Sequence, residues 1–173
     1  MKVINLFGSP GAGKSSTAAG LFYLMKFKQF KVELVTEYAK ELVYEKHYEV
    51  LADQLYVLAQ QNRRVERLRN EIDYVITDSP ILLSLIYAKN IPVSFGPFVL
   101  DIFKSYDNTN FFIKRVKSYI EYGRMQTEEE SDSIGQRITD MLIEYGESFT
   151  LINGDEKAPE KILTLLTNPR KVL

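Results

Sequence analysis

At 173 residues the chain is the size of one domain with room for a proper core, and 45% hydrophobic against 26% charged residues excludes a disordered chain. A formal net charge of -1 argues against a dedicated, sequence-indifferent nucleic-acid binder, and the absence of cysteine excludes disulfides and thiolate metal sites. The most apolar run, residues 81–88, falls far short of the roughly 20 residues a membrane span needs; with no leader ahead of the first strand, the expected location is the cytoplasm, the host's if the chain is phage-encoded.

Residues 3–7, Val-Ile-Asn-Leu-Phe, read as a buried strand. Directly behind it, Gly-Ser-Pro-Gly-Ala-Gly-Lys-Ser at 8–15 fits the phosphate-binding pattern G-x-x-x-x-G-K-[ST] at every fixed position. Gly8, Gly11 and Gly13 let the backbone turn successive N–H groups inward, with Ser9, Pro10 and Ala12 completing the cup. Lys14 is the expected point charge for the β and γ phosphates of a bound polyphosphate and Ser15 the hydroxyl for Mg²⁺. Ser16 opens the helix proper, whose dipole faces the anion and whose Ala18, Leu21, Phe22 and Met25 form its apolar side.

A second strand over 31–36 ends at Glu37 and Tyr38, and a helix over 39–45 follows. His47, the one histidine, reads as a solvated loop residue. From 50 to 70, Leu51, Leu55, Leu58, Val65 and Leu68 recur with a helical period and predict one long amphipathic helix. Its Arg63, Arg64, Arg67 and Arg69 are expected mostly on a solvated face steadied by Glu66 and Glu71, with one or two turned to the site. Residues 73–77 predict a third strand, closed by Asp78-Ser-Pro80. Two short helices over 81–107, broken at 90–92 and 95–97, would form a pocket wall. After a fourth strand at 109–113, the basic stretch 114–124 has no period and reads as a loop. Thr127 and Glu130 have capping-box spacing ahead of Ile134, Ile138, Met141, Leu142 and Tyr145, which mark a helix face. A fifth strand at 149–152, a turn at Asn153-Gly-Asp155 and a last helix over 159–166 complete the chain.

This alternation implies an α/β fold: a single domain, 1–173, with a parallel sheet whose strands share one carboxyl edge. Glu37 and Asp78 follow the second and third strands as the phosphate loop follows the first, so both acids are expected at that edge. Asp78 is the Walker B candidate for Mg²⁺, with a helix cap as the alternative. Glu37 is the candidate base for an acceptor hydroxyl, or else a salt-bridge partner of Lys40. Arg115, Lys117 and Arg124 are candidates to neutralise the migrating phosphoryl group from a lid over 114–127, or else form a solvated basic loop. Tyr38, Gln60 and Arg64 are candidate acceptor contacts.

The segments 8–16, 35–41, 75–80 and 122–129, with Asn153-Gly-Asp155, resemble the P-loop AAA-type domain of the nicotinamide riboside kinase family, and similar domains occur in small phage-encoded kinases or ATPases. The resemblance covers nearly the whole chain. It implies a three-layer nucleoside-kinase-like fold with a five-stranded parallel sheet, ATP as donor, a basic lid carrying Arg115 and Arg124, and Asn153 and Asp155 near the adenine. No matching nicotinamide-binding signature occurs between 81 and 107. The expected acceptor is nucleoside- or nucleotide-like, with hydroxymethylated pyrimidines in DNA and a regulatory ATPase without a small-molecule acceptor as alternatives. A guanine-specific Asn-Lys-x-Asp signature is absent. A homodimer is compatible with the chain.

Overall fold

The computed structural model describes residues 1–89, 92–120, 122 and 126–168. Five strands, β1 (Lys2–Phe7), β2 (Val32–Val35), β3 (Tyr74–Thr77), β4 (Asp107–Lys114) and β5 (Thr150–Asn153), form one sheet in the order β2-β3-β1-β4-β5. Every pairing is parallel. The register Val35↔Thr77↔Asn5 brings the ends of β2 and β3 level with the middle of β1, so that whatever follows them lies beside the phosphate loop.

β1 is central and buried on both faces, which explains its mostly apolar character. Its side chains alternate between two cores, as a period of two demands. Ile4 and Leu6 pack with α1 (Lys14–Phe27) and α8 (Ala158–Thr167) through Leu21, Met25 and Ile162. Val3 and Phe7 face the opposite layer, built from α4 (Gln54–Glu66), α5 (Leu83–Tyr87), α6 (Phe95–Lys104) and α7 (Glu128–Glu144). The result is the expected three-layer arrangement. Within it Asn5 donates to the side-chain carbonyls of Asn108 and Asn110, so the buried polar residue of β1 is satisfied by its neighbour strand.

Two expectations change. The predicted long helix over 50–70 is two elements, α3 (Tyr48–Ala52) and α4, separated at Asp53. The Asp53 carboxylate accepts the Tyr56 N–H at 3.1 Å and caps α4, and the buried stripe becomes Gln54, Val57, Leu58, Gln61 and Val65. Leu55 therefore faces solvent. The second is the supposed break at 95–97, which is the first turn of α6. Pro97 is tolerated there because first-turn N–H groups have no intrahelical partner to lose. Of the other break, residues 90 and 91 lie outside the described residues.

His47 sits exposed ahead of α3, with Nδ1 3.1 Å from a Glu45 carboxylate oxygen, which fits its reading as a solvated residue. α7 opens as predicted: Thr127 accepts the Glu130 N–H and Glu130 accepts the Thr127 N–H. Among the described residues no helix is long and apolar enough to cross a membrane.

Candidate active site

The phosphate loop follows β1 and ends in α1, with Gly13 in the left-handed region at the helix N-cap. Gly8 must be glycine for a second reason: a Cβ there would lie 2.5 Å from the Ile113 carbonyl oxygen on β4. The loop is pressed against its neighbours on every side. Lys14 folds back, donating to the carbonyls of Gly8 at 2.9 Å and Ser9 at 3.0 Å. Ser15 and Ser16 are exposed in the first turn of α1, where helical N–H groups are left to accept an anion. Ser9 is buried and Pro10 and Ala12 complete the wall.

Two carboxylates share this edge of the sheet. Asp78, one residue past β3, is buried, and its Oδ1 has no hydrogen-bond partner. Glu37, two residues past β2, has its pKa pushed up by desolvation first; the Lys14 charge pulls it down, Asp78 pushes it up and Lys40 pulls it down again. Lys14, Glu37 and Asp78 therefore form one electrostatic cluster, as the strand order predicts. Lys40 makes no ion pair with Glu37 and lies instead over the Tyr44 ring at 5.9 Å. An orphaned oxygen in a buried carboxylate calls for a cation or its water, and Ser15 and Asp78 supply the hard oxygen donors that suit Mg²⁺. Among the described residues no cluster of three or more His, Cys, Asp or Glu could hold a metal ion.

The acceptor-side candidates divide. Tyr38 sits at the start of α2 (Tyr38–Tyr44), its ring edge-on to Tyr56 at 6.0 Å and under the Arg64 guanidinium at 4.9 Å. Arg64 is bound two-pronged to Glu41 at 2.7 and 2.6 Å, which spends its charge on the rim. Gln60 is half-buried; the amide that reaches the site edge is its neighbour Gln61, which accepts the Tyr38 N–H at 3.0 Å and donates to the Thr36 carbonyl. Gln61 holds the turn that carries Glu37. The apolar periodicity of α4 concealed it, since a buried glutamine occupies a position where a hydrophobe is expected.

On the lid side, Arg115 is held away from a free role. Its Nη2 lies against Asp132 and, at 3.1 Å, Glu128, and the guanidinium stacks over Tyr119 at 5.1 Å. Its Nη1 is buried without a hydrogen-bond partner. Lys117 is exposed, and Arg124 lies outside the described residues. At the far end Asn153 closes β5, while Asp155 pairs with Lys161 at 3.2 Å and accepts the Lys157 N–H, making it a turn and helix-entry residue. Between them Gly154 donates its N–H to the Lys114 carbonyl, and a Cβ there would stand 2.1 Å from the Ala12 carbonyl oxygen. Sequence reading treated Gly154 only as part of a turn.

Three further residues escaped it. Ser131, fully buried on α7, donates to the Pro10 carbonyl at 2.7 Å. Tyr87 ends α5, and its phenol is pushed up to about 12 by desolvation, then by the Glu37 charge, with Arg137 acting in the opposite sense. Arg137, on α7, donates from Nη2 to the Ile86 carbonyl. None lies in a motif, and only long-range packing brings them to the site. A separate groove of about 470 Å³ between α4 and α6, lined by Leu55, Leu58, Phe98 and Ile102 among others, contains neither the phosphate loop nor either acid.

Among curated proteins no sequence matches the chain. Its fold is similar to that of thymidylate kinase from Ehrlichia chaffeensis, with a TM-score of 0.65 and 15% identity over 95% of this chain and 98% of that one. It is also similar to deoxyadenosine kinase from M. mycoides, solved with bound dATP, with a TM-score of 0.61 and 19% identity over 97% of this chain and 100% of that one. At such identities the likeness establishes the α/β architecture. The sequence of residues 3–158 matches the family described as AAA domain. That match spans most of the chain, and the protein belongs to the AAA domain family.

Proposed function

We propose that the protein is a phosphotransferase that moves the γ-phosphate of ATP to a hydroxyl of a nucleoside- or nucleotide-like acceptor. The observation that carries this reading is a half-buried Glu37, raised in pKa by desolvation, within the field of both Lys14 and Asp78 beside the phosphate loop. A carboxyl group shifted up towards neutrality is a better proton acceptor than an ordinary surface glutamate, because its basicity comes closer to that of the group it must deprotonate. That the two solved structures of similar fold are a thymidylate kinase and a deoxyadenosine kinase supports the same class.

In this reading the loop and the α1 N-terminus bind the triphosphate, and Lys14 leaves the Gly8 and Ser9 carbonyls for the β and γ phosphates. Ser15 and Asp78 hold Mg²⁺, which when bound neutralises phosphate charge. Glu37 takes the acceptor's hydroxyl proton. The acceptor oxygen forms a bond to Pγ, the bond from Pγ to the bridging oxygen breaks, and ADP leaves with that electron pair. Arg115 and Arg124 supply lid charge as the phosphoryl group migrates. For Arg115 this requires release from Asp132 and Glu128. Asn153 borders the adenine; Tyr38 and Gln60 border the acceptor.

The test uses γ-labelled ATP and Mg²⁺ with a panel of nucleosides, nucleotides and DNA containing hydroxymethyluracil. Label is expected in a nucleoside or nucleotide product, lost in Glu37→Gln while ATP binding persists. Label recovered only as free phosphate would replace this reading with that of a regulatory ATPase. Label in the DNA alone would move the acceptor to the polymer.

A further inference from the structure

α5 follows the Asp78-Ser-Pro80 turn closely and α7 is tied to the phosphate loop through Ser131, and the cations carried by α2, α4 and α7 differ in how they are engaged. Arg64 is neutralised by its two-pronged contact with Glu41. Lys40 lies over Tyr44. The turn after β3, Asp78-Ser-Pro80, brings no cation at all. Arg137 is different: its guanidinium is fixed by the Ile86 carbonyl, next in chain to Tyr87, and among the described residues no carboxylate pairs with it. A guanidinium has five N–H donors in a rigid fork, and one carbonyl leaves most of them open.

We propose that Arg137, steadied on the Ile86 carbonyl beside Tyr87, receives an anionic group of the acceptor, so that the favoured acceptor is a hydroxyl compound already carrying a phosphate. The inference rests on the phosphotransferase reading for the identity of the acceptor site, and it narrows that reading from nucleoside or nucleotide to nucleotide. Electrostatics are consistent with the placement, since the Tyr87 phenol feels Glu37 on one side and Arg137 on the other. Lys14 acts on Glu37, and Glu37 and Arg137 both act on Tyr87; in this reading they supply a cation for the transferred phosphate, a base for the hydroxyl, a phenol, and a second cation for the acceptor's own charge. A fork with several N–H donors open matches the oxygens of a phosphate monoester in a way that a neutral sugar does not reward. The anchoring carbonyl on α5 gives the fork its position, and α7 is itself fixed to the phosphate loop through Ser131 and Pro10, so the two anion sites are held in one frame.

The experiment compares kcat/KM for the common nucleosides and for their 5′-monophosphates in wild type, Arg137→Gln, Arg137→Lys and Lys40→Gln. Wild type is expected to prefer the monophosphates. Arg137→Gln should shrink that preference at least tenfold, chiefly through KM, with Arg137→Lys recovering part of it and Lys40→Gln leaving it in place. An equal loss on both acceptor classes, a preference abolished by Lys40→Gln instead, or a wild type that prefers nucleosides would overturn the assignment. If no acceptor is phosphorylated, the function reading fails by itself. The Arg137 assignment is then decided by calorimetric binding of the same nucleosides and monophosphates beside a non-hydrolysable ATP analogue. There the expected result is monophosphate binding weakened in Arg137→Gln; undetectable monophosphate binding to wild type, or binding that the substitution does not weaken, overturns it.

Discussion

Glu37 illustrates how a residue fit for chemistry is a liability for the fold. Burial raises its pKa above 4.5, so the folded protein holds this proton more tightly than the unfolded chain does. The stabilisation that follows is complete below the unfolded value and is lost as pH rises through the folded one. Near pH 8 the ionised side chain is therefore a net cost, and glutamine avoids it. Glu37→Gln should melt above wild type near pH 8, with the gap closing as the pH is brought down towards 4.5, even though transfer is abolished. Thermal melts across that range read the effect directly; a variant less stable than wild type at alkaline pH would contradict the desolvation account. Gly154 carries the opposite lesson. Its Cα backs onto the Ala12 carbonyl so closely that the extra methyl group of Gly154→Ala must push the phosphate loop aside, at about 1–3 kcal/mol. Weaker ATP binding by at least tenfold is expected, measured by titration. Glu37 was legible in the sequence because it follows a strand, whereas the importance of Gly154 lies in a contact 142 positions away that no local pattern encodes.

Among the elements, α7 has a role that its own sequence half reveals. The capping box at Thr127 and Glu130 and the spacing of Ile134, Ile138, Met141 and Leu142 make its start and its buried face predictable. That it also braces the donor loop was not predictable, because Ser131 and Gly135 interrupt the apolar stripe and look like ordinary small residues. In the fold Ser131 donates to Pro10, and a Cβ on Gly135 would lie 3.2 Å from the Ser9 side chain. Ser131→Ala leaves the half-buried Pro10 carbonyl without its donor, a loss of about 1 kcal/mol. Chemical denaturation should read that loss, and the KM for ATP should rise while Thr127→Ala, which removes the cap alone at about 1 kcal/mol, changes stability more than KM. A Ser131→Ala protein with unaltered KM would restrict α7 to a packing role. The α3–α4 junction failed in the other direction. Leucines at a helical period on both sides of Asp53 mimic a continuous helix, and only the carboxylate's bond to Tyr56 marks the new start.

On the scale of the molecule, alternating strands and helices sufficed to predict a parallel sheet, since right-handed crossovers leave few alternatives. The placement of β1 between β3 and β4 sets the geometry of this edge: the loop after the central strand has the end of β3, with Asp78, directly beside it, and the end of β2, with Glu37, one strand further out. What local pattern could not supply was the contact between α5 and α7, because Tyr87 and Arg137 come from helices 50 positions apart in the chain that meet only when their shared layer packs on the sheet. Since the donor site joins β1, β4, α1 and α7, a ligand seated there should stabilise the whole domain rather than one loop. At a free nucleotide concentration of 100 times Kd, mass action adds about 2.7 kcal/mol. For a domain of this length that corresponds to roughly 5–10 °C in melting temperature. Mg²⁺-ATP should produce a shift of that order, and Lys14→Ala should remove most of it by taking away the one side-chain cation in the loop. A shift that survives in Lys14→Ala would mean that the triphosphate binds somewhere other than residues 8–15, and the proposed arrangement of base, metal ligands and acceptor contacts around that loop would lose its centre.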